Sequence, residues 1–243
     1  MKTSRFALVL VASVLSCASV HAGFVNWGLP QQITNGGDVS LTGTLVGAVN
    51  LDGPAASVNG VNFQALDINA GPATVGSFSV NGFFFNQFNP GFSTSSAAAP
   101  FSGLGATYRD ILGTGAAVGG TMTLTMSNLA LGQMYEFQAW VNDSRNQTPP
   151  GFTFQVDVSA GNTVTLDPNP SLADGGLGQF VIGTFMADST SQQIDFTNSE
   201  VAVINAFQLR QLAAPPIPEL GTALFGVAMI GASALSRRRS VAA

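Results

Sequence analysis

Residues 140–146, Trp-Val-Asn-Asp-Ser-Arg-Asn, set an indole, two amides, a carboxylate, a hydroxyl and a guanidinium side by side. That combination can grip a sugar. The aromatic face stacks on C–H groups while Asn142, Asp143 and Arg145 bond hydroxyls. The expectation is a shallow site for a neutral or weakly basic glycan, with Trp140 facing outward at a strand end, where a rigid scaffold presents its loops. The competing expectation is structural: Asp143 and Arg145 pair or cap the loop, and Trp140 fills a second core face. A second cluster, Asp167, Asn169 and Asp174 in the loop 165–176, offers oxygen ligands of the type Ca²⁺ takes. Its spacing is not that of an EF-hand, and a turn built from Asp, Asn, Pro and Gly explains it equally.

Catalytic chemistry has little material. His21, Cys17 and Lys2 are the chain's sole histidine, cysteine and lysine, and all three lie within the first 22 residues. Without them the remainder cannot build a Ser-His-Asp triad, a thiolate nucleophile, a Schiff-base lysine or a His-containing zinc site. Two carboxylates would suffice for glycoside hydrolysis. Glu136 and Glu200 are the glutamates of residues 23–212, and Glu136 falls on the strand face opposite Tyr135 and Phe137, an expected solvated position. No enzyme is expected, with a carboxylate-dependent glycosidase as the remote alternative.

The first 22 residues read as a secretory signal peptide. Lys2 and Arg5 precede the apolar run Phe6–Leu15, and Val20-His21-Ala22 is a small-x-small cleavage site. The run is too short to span a bilayer. Val14-Leu15-Ser16-Cys17 also loosely resembles a lipoprotein box, with Leu15 where a small residue is usual. Export together with no further cysteine means no disulfide, so stability rests on a core that about 190 residues are enough to build. From 23 to 212 three arginines (Arg109, Arg145, Arg210) oppose twelve carboxylates, a net charge of −9. Such a body repels nucleic acid and anionic lipid surfaces.

The elements that must position these groups are strands. Period-two alternation marks 121–129, 135–142, 152–160, 179–187 and 202–212, and turn signals separate them at Leu131-Gly132, Pro149-Pro150-Gly151, Ala160-Gly161-Asn162 and Asp174-Gly175-Gly176. Weaker strand patterns cover 39–51, 57–66 and 75–85. Residues 88–106 read as a long loop, and 108–112 as one helical turn. The expected fold is all-β, an antiparallel jelly-roll-type β-sandwich over 23–212. A Pro-rich linker (213–219), an apolar segment (220–236) expected to form a single transmembrane helix, and a basic tail (237–243) follow.

The tail carries a family resemblance. Pro218-Glu219, the uncharged run Leu220–Leu235 and Arg237-Arg238-Arg239 look like the PEP-CTERM protein-sorting domain. The resemblance implies an exosortase-type partner that cleaves the tail, transient inner-membrane anchoring through the C-terminal helix, and release to the cell surface or matrix of a Gram-negative bacterium, with exopolysaccharide as a further partner. Leu220 stands where the family usually has proline. The physics agrees with a temporary stop: sixteen helical residues span roughly 24 Å at ~1.5 Å each, short of a hydrocarbon core of about 30 Å, and the arginines hold the C-terminus in the cytoplasm. The alternative is a plain anchor without processing.

The body has a resemblance as well. Residues 132–145 followed by 152–161 look like the paired strands of malectin-like and related galactose-binding-fold sandwiches, and 203–210 is similar to their closing strand. Taken together the sequence implies a non-catalytic surface or matrix protein, either binding exopolysaccharide or purely structural, with no cofactor beyond the Ca²⁺ considered above.

Overall fold

The computed structural model describes residues 23–69, 71–84, 93–146, 155–198 and 202–213. In chain order the strands are β1 (Asn26–Trp27), β2 (Gln31–Gln32), β3 (Thr44–Leu51), β4 (Ala56–Val58), β5 (Val61–Leu66), β6 (Ala73–Val75) and β7 (Phe78–Phe84). Helix α1 (Ala106–Leu112) follows, and then β8 (Ala116–Ser127), β9 (Met134–Val141), β10 (Val156–Val158), β11 (Val164–Leu166), β12 (Gln179–Met186), β13 (Ser191–Thr197), β14 (Ala202–Ile204) and β15 (Ala206–Gln211). Two sheets result. The first runs β1-β12-β9-β15-β3-β5-β4, with β2 also on β12; the second runs β11-β10-β13-β8-β7-β6, with β14 also on β8. The protein is therefore all-β, as its alternating runs imply. Every named strand pair is antiparallel except β3 with β5, which run parallel.

Alternation explains the central core. Tyr135, Phe137, Ala139 and Val141 of β9, with Phe207 and Leu209 of β15, face Met122, Leu124 and Met126 of β8 and Phe78 and Val80 of β7, all buried. Aromatic rings knit the layer: Phe137 lies 5.9 Å from Phe207 and 6.0 Å, edge on, from Trp27, and Phe78 lies 5.3 Å from Phe207. Two glycines make room for them. A Cβ on Gly183 would sit 2.4 Å from the Trp27 ring, and one on Gly47 2.6 Å from Phe78. Any side chain there would push an aromatic out of the layer.

A second core covers the outer face of the first sheet. Trp140, Phe180, Phe63, Ala206 and Ala48 pack beneath Ile33, Val39, Phe101, Leu104, Tyr108 and Ile111. Helix α1 is short but buries Tyr108, Ile111 and Leu112, the i, i+3, i+4 stripe of one face. Consequently β9 is buried on both faces from Tyr135 to Val141, whereas an antiparallel sheet commonly leaves one face wet.

Several boundaries differ from expectation. The run 202–212 is two strands, since the chain leaves β14 in the second sheet, turns at Asn205 and enters β15 between β9 and β3 in the first. β9 and β10 do not pair, because each belongs to a different sheet. Within the described residues β10 covers Val156–Val158, while 151–154 lie outside them. β1, β2, β11 and β13 had no expected counterpart. No helix among the described residues is long and apolar enough to cross a membrane. Residues 1–22, expected as a signal peptide, the apolar segment 220–236 and the basic tail, with Pro218, Glu219, Arg237, Arg238 and Arg239, lie outside the described residues.

Candidate functional site

The 140–146 stretch runs off β9 into a buried polar hub. Trp140 is fully buried, with ring centroids 5.7 Å from Phe63 and 6.4 Å from Phe180. The outward-facing indole expected for sugar stacking is thus corrected: its face of the sheet is roofed by residues 33–39 and 101–112. Asn142 and Asp143 are fully buried too. Asn142 accepts from Gly178 N–H at 2.8 Å through Oδ1 and donates from Nδ2 to the Leu112 carbonyl at 3.1 Å. Asp143 takes both Nε (2.8 Å) and Nη2 (2.5 Å) of Arg145, which leaves the guanidinium on the surface side of a bidentate pair. These four residues build the loop and do not offer a glycan platform.

Asn205 is the centre of the hub. Its Oδ1 accepts Asn142 N–H at 2.5 Å, and its Nδ2 donates to the carbonyls of Thr114 (2.7 Å) and Leu112 (3.0 Å). Its own N–H bonds Trp140 O and its carbonyl takes Leu51 N–H. One amide thereby ties the strand crossover to β3, β9 and the end of α1. Thr94 extends the network: its hydroxyl donates to Leu112 O at 2.9 Å, and its carbonyl takes both Ser144 N–H and Ser144 Oγ. A buried donor or acceptor left unpaired costs about 1–3 kcal/mol, so every member holds its neighbours in place.

The 165–176 loop is closed by its own bonds. Asp167 Oδ1 accepts Asn169 N–H at 2.9 Å, Asn169 Oδ1 accepts Ser171 Oγ at 2.7 Å, and Asn169 Nδ2 reaches Ala173 O at 2.9 Å. Asp174 Oδ1 accepts Ser96 Oγ at 2.6 Å, linking this loop to residues 93–97. Among the described residues no group of three or more His, Cys, Asp or Glu side chains converges to hold a metal. Asp167 and Asn169 thus take part in turn bonds within the loop, and Asp174 in the bond to Ser96.

Glu136 is also relocated. It is 8% exposed and accepts a short hydrogen bond from Ser40 Oγ. It belongs to a polar stripe on the outer face of β9 and β15 that pins residues 36–43 across the sheet. Gln138 Nε2 donates to Asp38 O at 2.7 Å, Gln208 Nε2 to Gln138 Oε1 at 2.7 Å, and Arg210 donates to the carbonyls of Thr42, Leu41 and Gly43. Beside the stripe, Tyr108 Oη donates to Asp38 Oδ2 at 3.2 Å. Burial first, and the Asp38 carboxylate second, push the Tyr108 phenol far above the ordinary tyrosine range. The Trp140 indole lies near the Tyr108 oxygen and slightly favours its phenolate, yet falls short of hydrogen-bond geometry.

The hub supports an open cleft that the sequence reading missed. Between the serine-rich loop 93–97 and α1 lies a cleft of about 520 Å³, whose polar wall is Ser93, Ser95, Ser96, Arg109, Asp110 and Thr114. The loop is fixed from below by Thr94 and from the side by the Ser96–Asp174 bond. Arg109 is half-buried, and its Nε–H is buried with no hydrogen-bond partner. The hint in the sequence was an arginine and an aspartate adjacent on a helix that follows a Ser-rich loop. Hydroxyls, one cation and one carboxylate can bind a polar ligand. No family model, no curated protein and no solved structure matches this chain.

Proposed function

We propose that the chain is an exported, non-catalytic cell-surface or extracellular-matrix protein, sorted through its PEP-CTERM-like tail, with a jelly-roll-type sandwich as its body. The observation that carries this reading is the order of the last residues: a Pro-Glu pair, seventeen uncharged residues and three consecutive arginines, in a chain that opens with a basic, then apolar, then small-x-small segment. The body is consistent with life outside the cell. It has no cysteine to cross-link, and it buries apolar side chains on both faces of one sheet, which supplies stability without disulfides. Its acidity favours solubility and disfavours nucleic acid.

One experiment tests it. In the native host, replacing Pro218 and Glu219 by alanine should shift the protein from the surface fraction to the inner membrane. Unchanged surface display of that variant would remove the sorting reading. Exopolysaccharide affinity remains part of the proposal, but Trp140 is not its anchor.

A further inference from the structure

We propose that the cleft between loop 93–97 and α1 binds a carboxylate-bearing, polyhydroxylated ligand of the uronic-acid sugar class, with Arg109 as its anchor. The body holds three arginines, Arg109, Arg145 and Arg210. Arg145 is engaged by Asp143, and Arg210 lies under the carbonyls of residues 41–43. Arg109 alone of the three lines a cleft while holding a buried, unpartnered Nε–H. The Nε–H is closed off from solvent, so a ligand in the cleft meets the half-buried guanidinium from its Nη side, and an arginine fork can give a carboxylate two parallel N–H bonds. The Asp143–Arg145 pair is a two-bond arginine–carboxylate contact of this kind, there through Nε and Nη2.

The remaining walls suit the rest of a sugar. Ser93 and Ser95 are exposed and bond each other at 2.9 Å, so each hydroxyl can turn to a ligand hydroxyl. Asp110 accepts from hydroxyls and disfavours a second anionic group. Pro54, Ala97 and Ala106 provide exposed apolar wall for C–H faces. A volume of about 520 Å³ lies in the range of small-molecule sites and takes a short saccharide rather than a long stretch of polymer. The Thr94–Asn205–Asn142 network beneath the loop pre-forms the cleft, which lowers the ordering cost of binding. The body's net charge of −9 opposes a dense polyanion, but beyond ~8 Å it is largely screened at physiological ionic strength. The ligand is therefore a chain end or an isolated uronate within a largely neutral polymer.

This extends the surface-protein reading by giving its ligand class, yet binding by purified protein does not depend on sorting, so each can fail alone. The test is titration calorimetry on the full-length chain in detergent with glucuronate, galacturonate and mannuronate, their methyl esters, and glucose, galactose and mannose. At least one free uronate should bind at least tenfold more tightly than its ester and its neutral parent. Arg109→Gln should remove that preference, and Ser95→Trp, at an exposed position, should block the cleft and abolish binding. If Arg109→Gln does not fold, the acid–ester comparison and Ser95→Trp decide. Absence of uronate binding, equal affinity for acid and ester, or binding that survives Ser95→Trp would overturn the proposal.

Discussion

Replacing Trp140 by alanine tests whether the distinctive 140–146 patch is architecture. Trp140 heads the largest wholly buried side chains. A buried tryptophan removes on the order of 150–250 Å² from water, worth about 4–6 kcal/mol at ~25 cal/mol per Å². Large-to-small core substitutions at aromatic sites cost about 3–5 kcal/mol. Its neighbours are Phe63 and Phe180, themselves held in the second core, so little collapse into the cavity is expected and the loss should be about 4 kcal/mol. For a body of this size that lowers the thermal midpoint by roughly 8–16 °C. Urea unfolding of wild type and variant, followed by far-ultraviolet circular dichroism, reads the difference at unchanged slope. A companion measurement uses Trp27→Phe, which leaves Trp140 as the sole tryptophan. Its fluorescence should resist acrylamide quenching. A loss below about 1 kcal/mol together with efficient quenching would refute the burial argument.

Other consequences follow from the same geometry. Asn205→Ala leaves Asn142 N–H without its acceptor and Thr114 O without its donor, while Leu112 O keeps Thr94 and Asn142; the cost should be about 3–5 kcal/mol, measured by the same urea titration, and a neutral effect would show the hub to be dispensable. Tyr108 carries a raised pKa in the fold, and an unfolded tyrosine ionises near ~10. Its contribution to stability is complete below that value and declines as pH rises above it, because the unfolded chain releases the proton first, by ~1.4 kcal/mol per pH unit. Tyr108→Phe should flatten that part of the stability profile between about pH 10 and 11, and an unaltered slope would contradict the assignment. Millimolar Ca²⁺ or a chelator should leave the thermal midpoint unchanged, since Asp167 and Asp174 are committed to loop bonds; a clear rise with Ca²⁺ would revive the metal reading.

Strand identity was legible where one face is apolar and the other polar: Met122, Leu124 and Met126, or Phe137, Ala139 and Val141, announce their facing directly. What alternation does not disclose is whether the second face is dry. Glu136, Gln138 and Trp140 share the polar-looking face of β9, and they read as solvated until residues 33–43 and α1 are placed over them. That cover is long-range in sequence: the hydrogen bond from Gln138 to Asp38 spans 100 residues. The crossover at Asn205 was hidden for a similar reason. A single asparagine in an apolar run looks like a strand interruption of no consequence, whereas here the chain crosses between the sheets at that residue and its amide ties the crossover to the end of β9 and the end of α1. β13 escaped because Gln192, Ile194 and Phe196 alternate behind a Ser-Thr-Ser turn with a buried glutamine in the apolar register. In 140–146 the geometry follows the structural alternative, in which Asp143 pairs with Arg145 and Trp140 fills a second core face. The cleft at Arg109 needed the fold, since Pro54, Ser95 and Thr114 come from three separate segments.

The most direct test of the central claim is the intact mass of the protein recovered from the surface or matrix fraction of its native host. The expected chain begins at about Gly23 and ends near Pro218, lacking both the N-terminal segment and the arginine cluster. A surface-associated protein whose mass still includes Arg237, Arg238 and Arg239 would contradict it and would mean permanent anchoring.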